Sequence, residues 1–321
     1  MTRLRLAMIV TALGACGGGT SPRPIVNTTA PAGTLAEKLD RAKAQHGDVL
    51  LVSTETGISA FSPDLEPIAK VTTSAGRYIH SDPQNRALFY FVESRLVRLD
   101  LVSGQERTLA VLPVLKHMCF GGEGAGVNPL DYIQRDEDVA FDVAKGSVCL
   151  NVQDRNVNMM SVSIAYRIAL ATGAVAKQTT FMLDECREPG EAERADGPCV
   201  AGDLLTAGPD LVSPSKRWEL VRDPDLGVQG DYIYSATFVT DTQTKQSYAV
   251  RADGIAPFDH AAARAAGKAP DGTCVLPFEA TVRWFPHVDV AIVANCGEAG
   301  ALLVRPPATV RPLAGTAFAF Y

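Results

Sequence analysis

A pair of hairpins that recurs along the chain restricts the fold more than any other feature of the sequence. The first hairpin joins an extended strand to a strongly apolar strand, and copies of it begin near residues 80, 141, 211 and 284. The second hairpin follows, with copies that begin near residues 97, 166, 237 and 302. Short runs rich in Val, Ile, Leu, Phe and Tyr between turn residues are typical of strands. The two hairpins together therefore predict a four-stranded unit that occurs four times.

The two ends of the chain supply a fifth unit between them. Residues 47–71 contain three strands, and the last six residues, "TAFAFY" at 316–321, form a single strand without a unit of its own. Pairing this strand with the first three closes a ring and leaves no open sheet edge. The sequence therefore predicts an all-β fold over residues 47–321, a β-propeller with five four-stranded blades. Six blades are the alternative if residues 183–209 or 251–279 contain a further blade.

The turn inside the first hairpin resembles a motif of known propellers. Residues 213–218, "SPSKRW", are similar to the S-P-D-G turn of the WD40-like superfamily, and most of all to that of TolB-like propellers. Ser215 and Lys216 stand where that turn usually has aspartate and glycine. Residues 81–86, "SDPQNR", resemble the same turn more loosely. Because TolB-like propellers of cell envelopes act mainly as docking modules, the resemblance implies such a role here.

The N-terminal residues are typical of an export signal. Two arginines precede an apolar run at residues 6–13, which is far too short to span a membrane. The sequence "LGAC" ending at Cys16 resembles the bacterial lipobox, in which the signal is cut before a lipid-modified cysteine. The resemblance implies a signal peptide over residues 1–15 and an acylated Cys16. Since Gly17 follows instead of an aspartate, it also implies the outer membrane. The alternative is an ordinary signal peptide with an incidental cysteine.

A flexible segment and a short helix are expected between the lipid and the propeller. Residues 16–33 contain four glycines and three prolines after the cysteine, a composition typical of a linker. Residues 34–46 then predict one helix, with Thr34 as the N-cap and two leucines spaced by one turn. We therefore expect the propeller to hang from a tether.

The charge of the exported chain is acidic. Without residues 1–15 it carries 28 basic and 36 acidic residues. We therefore do not expect a basic surface that binds nucleic acid. We expect the protein to contact the membrane through its lipid anchor alone.

The remaining six cysteines contain no C-x-x-C pair and predict disulfides in an oxidising compartment. Each predicted pair fastens an insertion to the body of the propeller. The predicted pairs are Cys119 with Cys149, Cys186 with Cys199, and Cys274 with Cys296. Redox-active thiols are the alternative, but these cysteines lack the basic neighbours that depress a thiol pKa.

One acidic segment is a candidate for calcium. The sequence "DPDLGVQGDY" sets Asp223, Asp225 and Asp231 around two glycines. It departs from an EF-hand loop, because glycine is at its fifth position and Tyr234 is at its twelfth. The alternative is a solvated acidic turn. No other cofactor is predicted.

The order of the strands assigns nearly all long loops to one face, because two antiparallel strands separate the loops concerned. They are the connections at 113–134, 183–209 and 251–279 and the loops at 153–160 and 224–233. Long loops on one face of a rigid scaffold are typical of a binding surface. We therefore predict a noncatalytic docking module for an envelope protein or glycan.

An enzyme with its site at the propeller axis is the alternative function, for example a lactonase or a lyase. His80, Asp138 and Arg283 belong to predicted innermost strands, where they would converge if the axis holds such a site. The innermost strands otherwise bring Val, Ala and Phe toward the centre, which favours docking.

Overall fold

The described residues fold into five antiparallel sheets that follow one another along the chain. The computed structural model describes residues 33–115, 126–133, 138–156, 159–182, 199, 211–226, 234–277, 282–294, 296 and 300–321. Each sheet is a blade, numbered here by its position in the chain. The five blades confirm the predicted all-β propeller, and their count matches the prediction of five.

Blade 1 contains β1 (Leu50–Thr54), β2 (Gly57–Phe61), β3 (Pro67–Thr72) and β21 (Ala317–Phe320). Blade 2 contains β4 (Arg77–Asp82), β5 (Ala87–Val92), β6 (Arg95–Asp100) and β7 (Glu106–Val111). Blade 3 contains β8 (Val139–Asp142), β9 (Ser147–Asn156), β10 (Met159–Ala169) and β11 (Val175–Met182). Blade 4 contains β12 (Trp218–Asp223), β13 (Tyr234–Asp241), β14 (Ser247–Arg251), β15 (Gly254–Phe258) and β16 (Val275–Pro277). Blade 5 contains β17 (Val282–Trp284), β18 (Ala291–Val293), β19 (Ala301–Arg305) and β20 (Thr309–Leu313).

The chain ends meet in blade 1. Strand β21 pairs antiparallel with β1, from Leu50 opposite Phe320 to Ser53 opposite Ala317. The predicted closure by the C-terminal strand is therefore confirmed. Among the described residues, shared apolar cores join blade 1 to blade 2, blade 2 to blade 3, blade 4 to blade 5 and blade 5 to blade 1.

The burial of the strands shows which edge of each blade faces the axis. In blade 2, β5 is buried except for its last residue, whereas most of β7 is exposed. Strand β4 is only partly exposed and lies at the opposite edge from β7. Since propeller blades surround a central channel, β4 and its equivalents are the innermost strands and β7 is an outer one.

The repeat predicted from the sequence extends to single hydrogen bonds in the second hairpin. In three blades the turn has one backbone N–H···O bond of 2.8 Å and a residue with φ between 61° and 73°. The donor and acceptor residues are Gly104 and Asp100, Gly173 and Ala169, and Lys245 and Asp241. These equivalences assign β12 to the second position of blade 4. The innermost segment of that blade is therefore residues 211–213, where Val212 bridges to Glu219, and β15 is an added outer strand.

Hydrogen bonds between Ser213 and Trp218 close the turn at residues 213–218. The Ser213 N–H donates to the carbonyl of Trp218 at 2.8 Å, and its hydroxyl accepts from the Trp218 N–H at 3.1 Å. Lys216 adopts φ 61°, the left-handed conformation for which glycine is usual at this position. Arg86 and Gly146 take the same conformation in the equivalent turns of blades 2 and 3.

The propeller has two different faces. Turns between the first and second strands and between the third and fourth strands emerge on one side, called here the tight-turn face. Connections between blades and those between the second and third strands emerge on the other, called here the long-loop face.

Helix α1 (Leu35–His46) lies on the tight-turn face. Thr34 caps it in a capping box with Glu37, as the sequence predicts for a helix that begins here. The Ala36 N–H donates to the carbonyl of Leu101 in a tight turn of blade 2 at 2.9 Å. Asp40 accepts a 2.8 Å hydrogen bond from the hydroxyl of Tyr321, at the end of the closing strand. The chain therefore enters the propeller from the tight-turn face.

Candidate functional site

Within the described residues, two connections between blades contain structure of their own. The connection from blade 2 to blade 3 includes a bridge between Leu115 and Val127 and a 3₁₀ turn at Pro129–Tyr132. The connection from blade 4 to blade 5 includes β15, helix α2 (His260–Ala266) and β16. Residues 251–279 are therefore not a simple loop, and they extend blade 4 instead of forming a sixth blade. Of residues 183–209, only residue 199 is described.

One further loop prediction is wrong. Residues 153–160 were expected to form a loop on the long-loop face, but β9 continues to Asn156 and β10 begins at Met159. The two strands pair from Ser147 opposite Ala169 to Asn156 opposite Met159, with a register shift between Met160 and Val162.

The disulfides confirm one predicted pair and correct two others. Cys274 pairs with Cys296, as predicted, with 5.2 Å between the two Cα atoms. Cys149 pairs with Cys199, with a Cα–Cα distance of 5.9 Å, so the predicted pairs Cys119–Cys149 and Cys186–Cys199 are wrong. The structure fastens residue 199 to strand β9 instead of to a neighbour in its own insertion. Cys119 and Cys186 lie outside the described residues.

The acidic segment at the end of β12 contacts helix α2. Buried Asp223 accepts a hydrogen bond from Nε2 of His260 at 2.9 Å and forms an ion pair with Nε of Arg264 at 3.1 Å. Asp225 is exposed and pairs with the same guanidinium group. Asp231, the third predicted calcium ligand, lies outside the described residues. Arg264 therefore lies between the two described carboxylates.

Helix α2 is held to blade 4 by this cluster and by aromatic packing. The ring of His260 lies 5.1 Å from that of Phe238 and 5.9 Å from that of Phe258. Asp259 caps the helix by accepting from the Ala262 N–H at 3.0 Å. Among the described residues, no group of three His, Cys, Asp or Glu side chains has an arrangement that could hold a metal ion.

A cleft of about 570 Å³ opens on the long-loop face where the innermost strands of blades 1 and 2 begin. Its volume is within the range of small-ligand sites. Four charged side chains line the cleft, together with apolar and small polar residues. The charged residues are Glu55, Arg77, Glu93 and Asp131. The other lining residues are Thr54, Ala75, Gly76, Tyr78, Phe91, Leu130, Ile133, Thr316 and Ala317.

Local backbone geometry shapes the wall of this cleft. Strand β4 shifts register between Arg77 and His80, and Tyr78 between them has φ 51°. A bulge changes the direction of a side chain, and a tyrosine in the left-handed region is unusual. Nη1 of Arg77 lies 2.6 Å from Oδ1 of Asp131, which ties β4 to the insertion before blade 3.

The residues proposed for an axial enzyme have different environments. His80 on β4 stacks on the ring of Phe141, with 4.9 Å between centroids and 6° between planes. Burial lowers the pKa of His80, against the opposing effect of the Asp82 charge. Asp138, just before β8, is buried, whereas Arg283 on β17 is exposed. None of the three residues lines the cleft.

The cleft was not predicted from the sequence. Arg77 and Asp131 are separated by 54 positions, and no local pattern connects them. The nearest sequence signal is the pair Asn128–Pro129, which begins the 3₁₀ turn that carries Asp131.

Comparison with solved structures gives low similarity. A chain of a nidogen/laminin complex is 9% identical, with a TM-score of 0.30, and the match covers 84% of this chain and all of that one. Oligogalacturonate lyase from Vibrio parahaemolyticus is 8% identical, with a TM-score of 0.31 and coverage of 84% and 75%. A eukaryotic initiation factor is 9% identical, with a TM-score of 0.23 and coverage of 81% and 60%. These scores are low, so the fold assignment rests on the five sheets themselves.

The sequence matches no protein-family model and no curated protein. Within the described residues, neither helix has the length and apolar character needed to cross a membrane.

Proposed function

We propose that the protein is a bacterial envelope lipoprotein whose propeller, of the TolB-like kind, is a noncatalytic docking module. Acyl chains on Cys16 would anchor it, in the outer membrane, and residues 17–33 would form the tether. The long-loop face would hold an envelope protein or a glycan. The sequence "LGAC" supports the anchor, and the resemblance of residues 213–218 to the TolB-like turn supports the docking role.

The observation that carries the docking proposal is the separation of the two faces. Helix α1 reaches the propeller through Leu101, Arg86 and Tyr321, all on the tight-turn face. The cleft is on the long-loop face, together with the connection from blade 2 to blade 3 that lines it. Because α1 packs against the tight-turn face, we infer that the partner binds the opposite, long-loop face.

The fastening of the insertions supports the same proposal. The Cys274–Cys296 disulfide and the contacts of Asp223 hold the insertion after blade 4 against the body. The Cys149–Cys199 disulfide does the same for residue 199. Loops held in one arrangement lose less conformational entropy when they bind. Such fastening suits a surface that is preorganised for a partner.

The anchor is tested by metabolic labelling with radioactive palmitate. We expect the full-length protein to incorporate label and to fractionate with membranes. The Cys16→Ser variant should lose both properties while its propeller folds as before. A wild-type protein that stays soluble and unlabelled would contradict the anchor but not the docking role.

Docking is tested by photo-crosslinking in intact cells of the host. A photoreactive amino acid is placed at Glu55 or Glu93 on the long-loop face, or at exposed Ser103 or Thr172 on the tight-turn face. We expect a discrete crosslinked species from the first two positions only. Crosslinks from the tight-turn face alone would overturn the proposed docking face.

A further inference from the structure

The charged side chains of the cleft are unbalanced. Three carboxylates, those of Glu55, Glu93 and Asp131, face one guanidinium group, that of Arg77. Arg77 already forms an ion pair with Asp131, with 2.6 Å between Nη1 and Oδ1. Glu93 has Arg95 at 3.6 Å, but both side chains are largely exposed, and such pairs are weak. Glu55 forms no ion pair within the described part of the chain. The cleft therefore keeps uncompensated negative charge.

Beneath the charges the cleft is apolar. Phe91 and Leu130 are fully buried, and Tyr78 and Ile133 are partly buried. The rings of Tyr78 and Phe91 meet edge to face, 6.5 Å apart. The charged lining residues are all exposed, so they form the rim above this floor.

We infer that this cleft binds a lysine or arginine side chain from an extended segment of a protein partner. Such a side chain has an apolar stem that suits the floor and a cationic end that suits the carboxylates of the rim. Tyr78, which is only partly buried, adds an aromatic ring to the lining, and cations are attracted to aromatic rings. An acidic segment would meet repulsion, and a neutral glycan would leave the carboxylates without charged partners. The inference rests on the proposed function and names the partner's chemistry.

The probe for this inference is N-acetyl-trilysine amide, measured by isothermal titration calorimetry against the exported chain. We expect saturable binding that weakens as salt is raised, because the contacts are between exposed charges. N-acetyl-triglutamate amide and maltotriose serve as competing chemistries. Tighter binding of either one than of trilysine would overturn the inference.

Variants separate the cleft from the general acidity of the protein. Glu55→Gln with Glu93→Gln should weaken trilysine binding about tenfold, because the two substitutions together remove two of the carboxylates that attract the cation. The matched control is Glu66→Gln with Glu219→Gln, which removes the same charge from exposed positions outside the cleft. Equal losses in both double variants would show nonspecific attraction and would refute the site. Circular dichroism verifies that each variant is folded.

The two proposals can fail separately. If residue 55 crosslinks to a partner but trilysine does not bind, the docking face stands and the cationic specificity is wrong. If trilysine binds through Glu55 and Glu93 but no crosslink forms in cells, the site stands and the envelope docking role is wrong.

Discussion

Two buried aspartates, one on each face of the propeller, are each bound by a histidine, but they hold different parts of the molecule. Asp48 accepts hydrogen bonds from Nδ1 of His287 at 2.7 Å and from its backbone N–H at 2.8 Å. Asp223 accepts a hydrogen bond from His260 at 2.9 Å and forms an ion pair with Arg264 at 3.1 Å. The side chains of Asp48 and Asp223 are only 1% and 5% exposed.

The difference between the pairs lies in what they connect. Asp48 and His287 are 239 positions apart, and their contact joins the first blade to the last. Asp223 and His260 are 37 positions apart, and their contact fastens helix α2 to the blade beside it. The tight-turn face therefore maintains the ring. The contacts of Asp223 instead attach a local part of the chain, helix α2, to its own blade.

The largest effect is expected from deletion of residues 317–321, which removes the strand that closes the ring. Leu50 and Val52 are buried beside this strand, and β1 would become an open edge. We expect the truncated chain to lose its cooperative thermal unfolding transition. Circular dichroism as a function of temperature measures this transition. The control, Tyr321→Phe, keeps the strand and removes only the hydrogen bond to Asp40. A truncated chain that melts like the wild type would show that closure does not require β21.

The next largest effect is expected from the disulfides. Cys149 and Cys199 are 50 positions apart, and Cys274 and Cys296 are 22 apart. In the chain-entropy model the first bond stabilises by about 4 kcal/mol and the second by about 3 kcal/mol. Urea denaturation of the two double Cys→Ser variants measures both losses. Peptide mapping without reduction tests the pairing itself, and a Cys119–Cys149 peptide would contradict the structure.

A smaller effect concerns His80, which belongs to neither pair. Because burial lowers its pKa in the folded state, the unfolded chain protonates first as the pH falls below about 6.5. The free energy of unfolding should therefore decrease with acidification, by at most about 1.4 kcal/mol per pH unit from this group. His80→Phe keeps a ring against Phe141 and should reduce the slope between pH 7.5 and 5.5. Identical slopes would show that His80 is not the titrating group.

The architecture was predictable because its determinants are local. The alternation of apolar runs and turns specifies each four-stranded unit, and the orphan strand at residues 316–321 indicates closure. The Thr34 cap specifies where α1 begins. These features depend on neighbours in sequence, so a single sequence contains them.

The added strand β15 was missed for a physical reason. Its sequence, "GIAPF", contains a glycine and a proline. Both residue types are unfavourable in a central strand of a sheet, so the sequence indicates a loop. An outer strand tolerates proline because one of its edges has no ladder partner. Pro257 pairs opposite Tyr248 at this edge of blade 4.

The disulfide pattern and the cleft were missed because both depend on how insertions fold back. Cys199 reaches β9 across 50 positions, and its Sγ also lies 3.1 Å from the carbonyl oxygen of Tyr166. Arg77 and Asp131 meet only because the insertion before blade 3 returns to blade 2. Spacing along the chain does not contain this information.

The central claim is that Asp48 stabilises the whole propeller, whereas Asp223 stabilises only a local segment. Hydrogen exchange on a matched pair of variants, Asp48→Asn and Asp223→Asn, tests this claim most directly. Loss of the hydrogen bonds to the Asp48 carboxylate should cost about 2 kcal/mol of global stability, since bonds to charged groups contribute about that much. Asp48→Asn should therefore accelerate exchange of the slowest amides in all five blades. Asp223→Asn should accelerate exchange in residues 254–277 and leave the slowest amides unchanged. If the two variants give the same pattern, global or local, the faces do not differ in the way described.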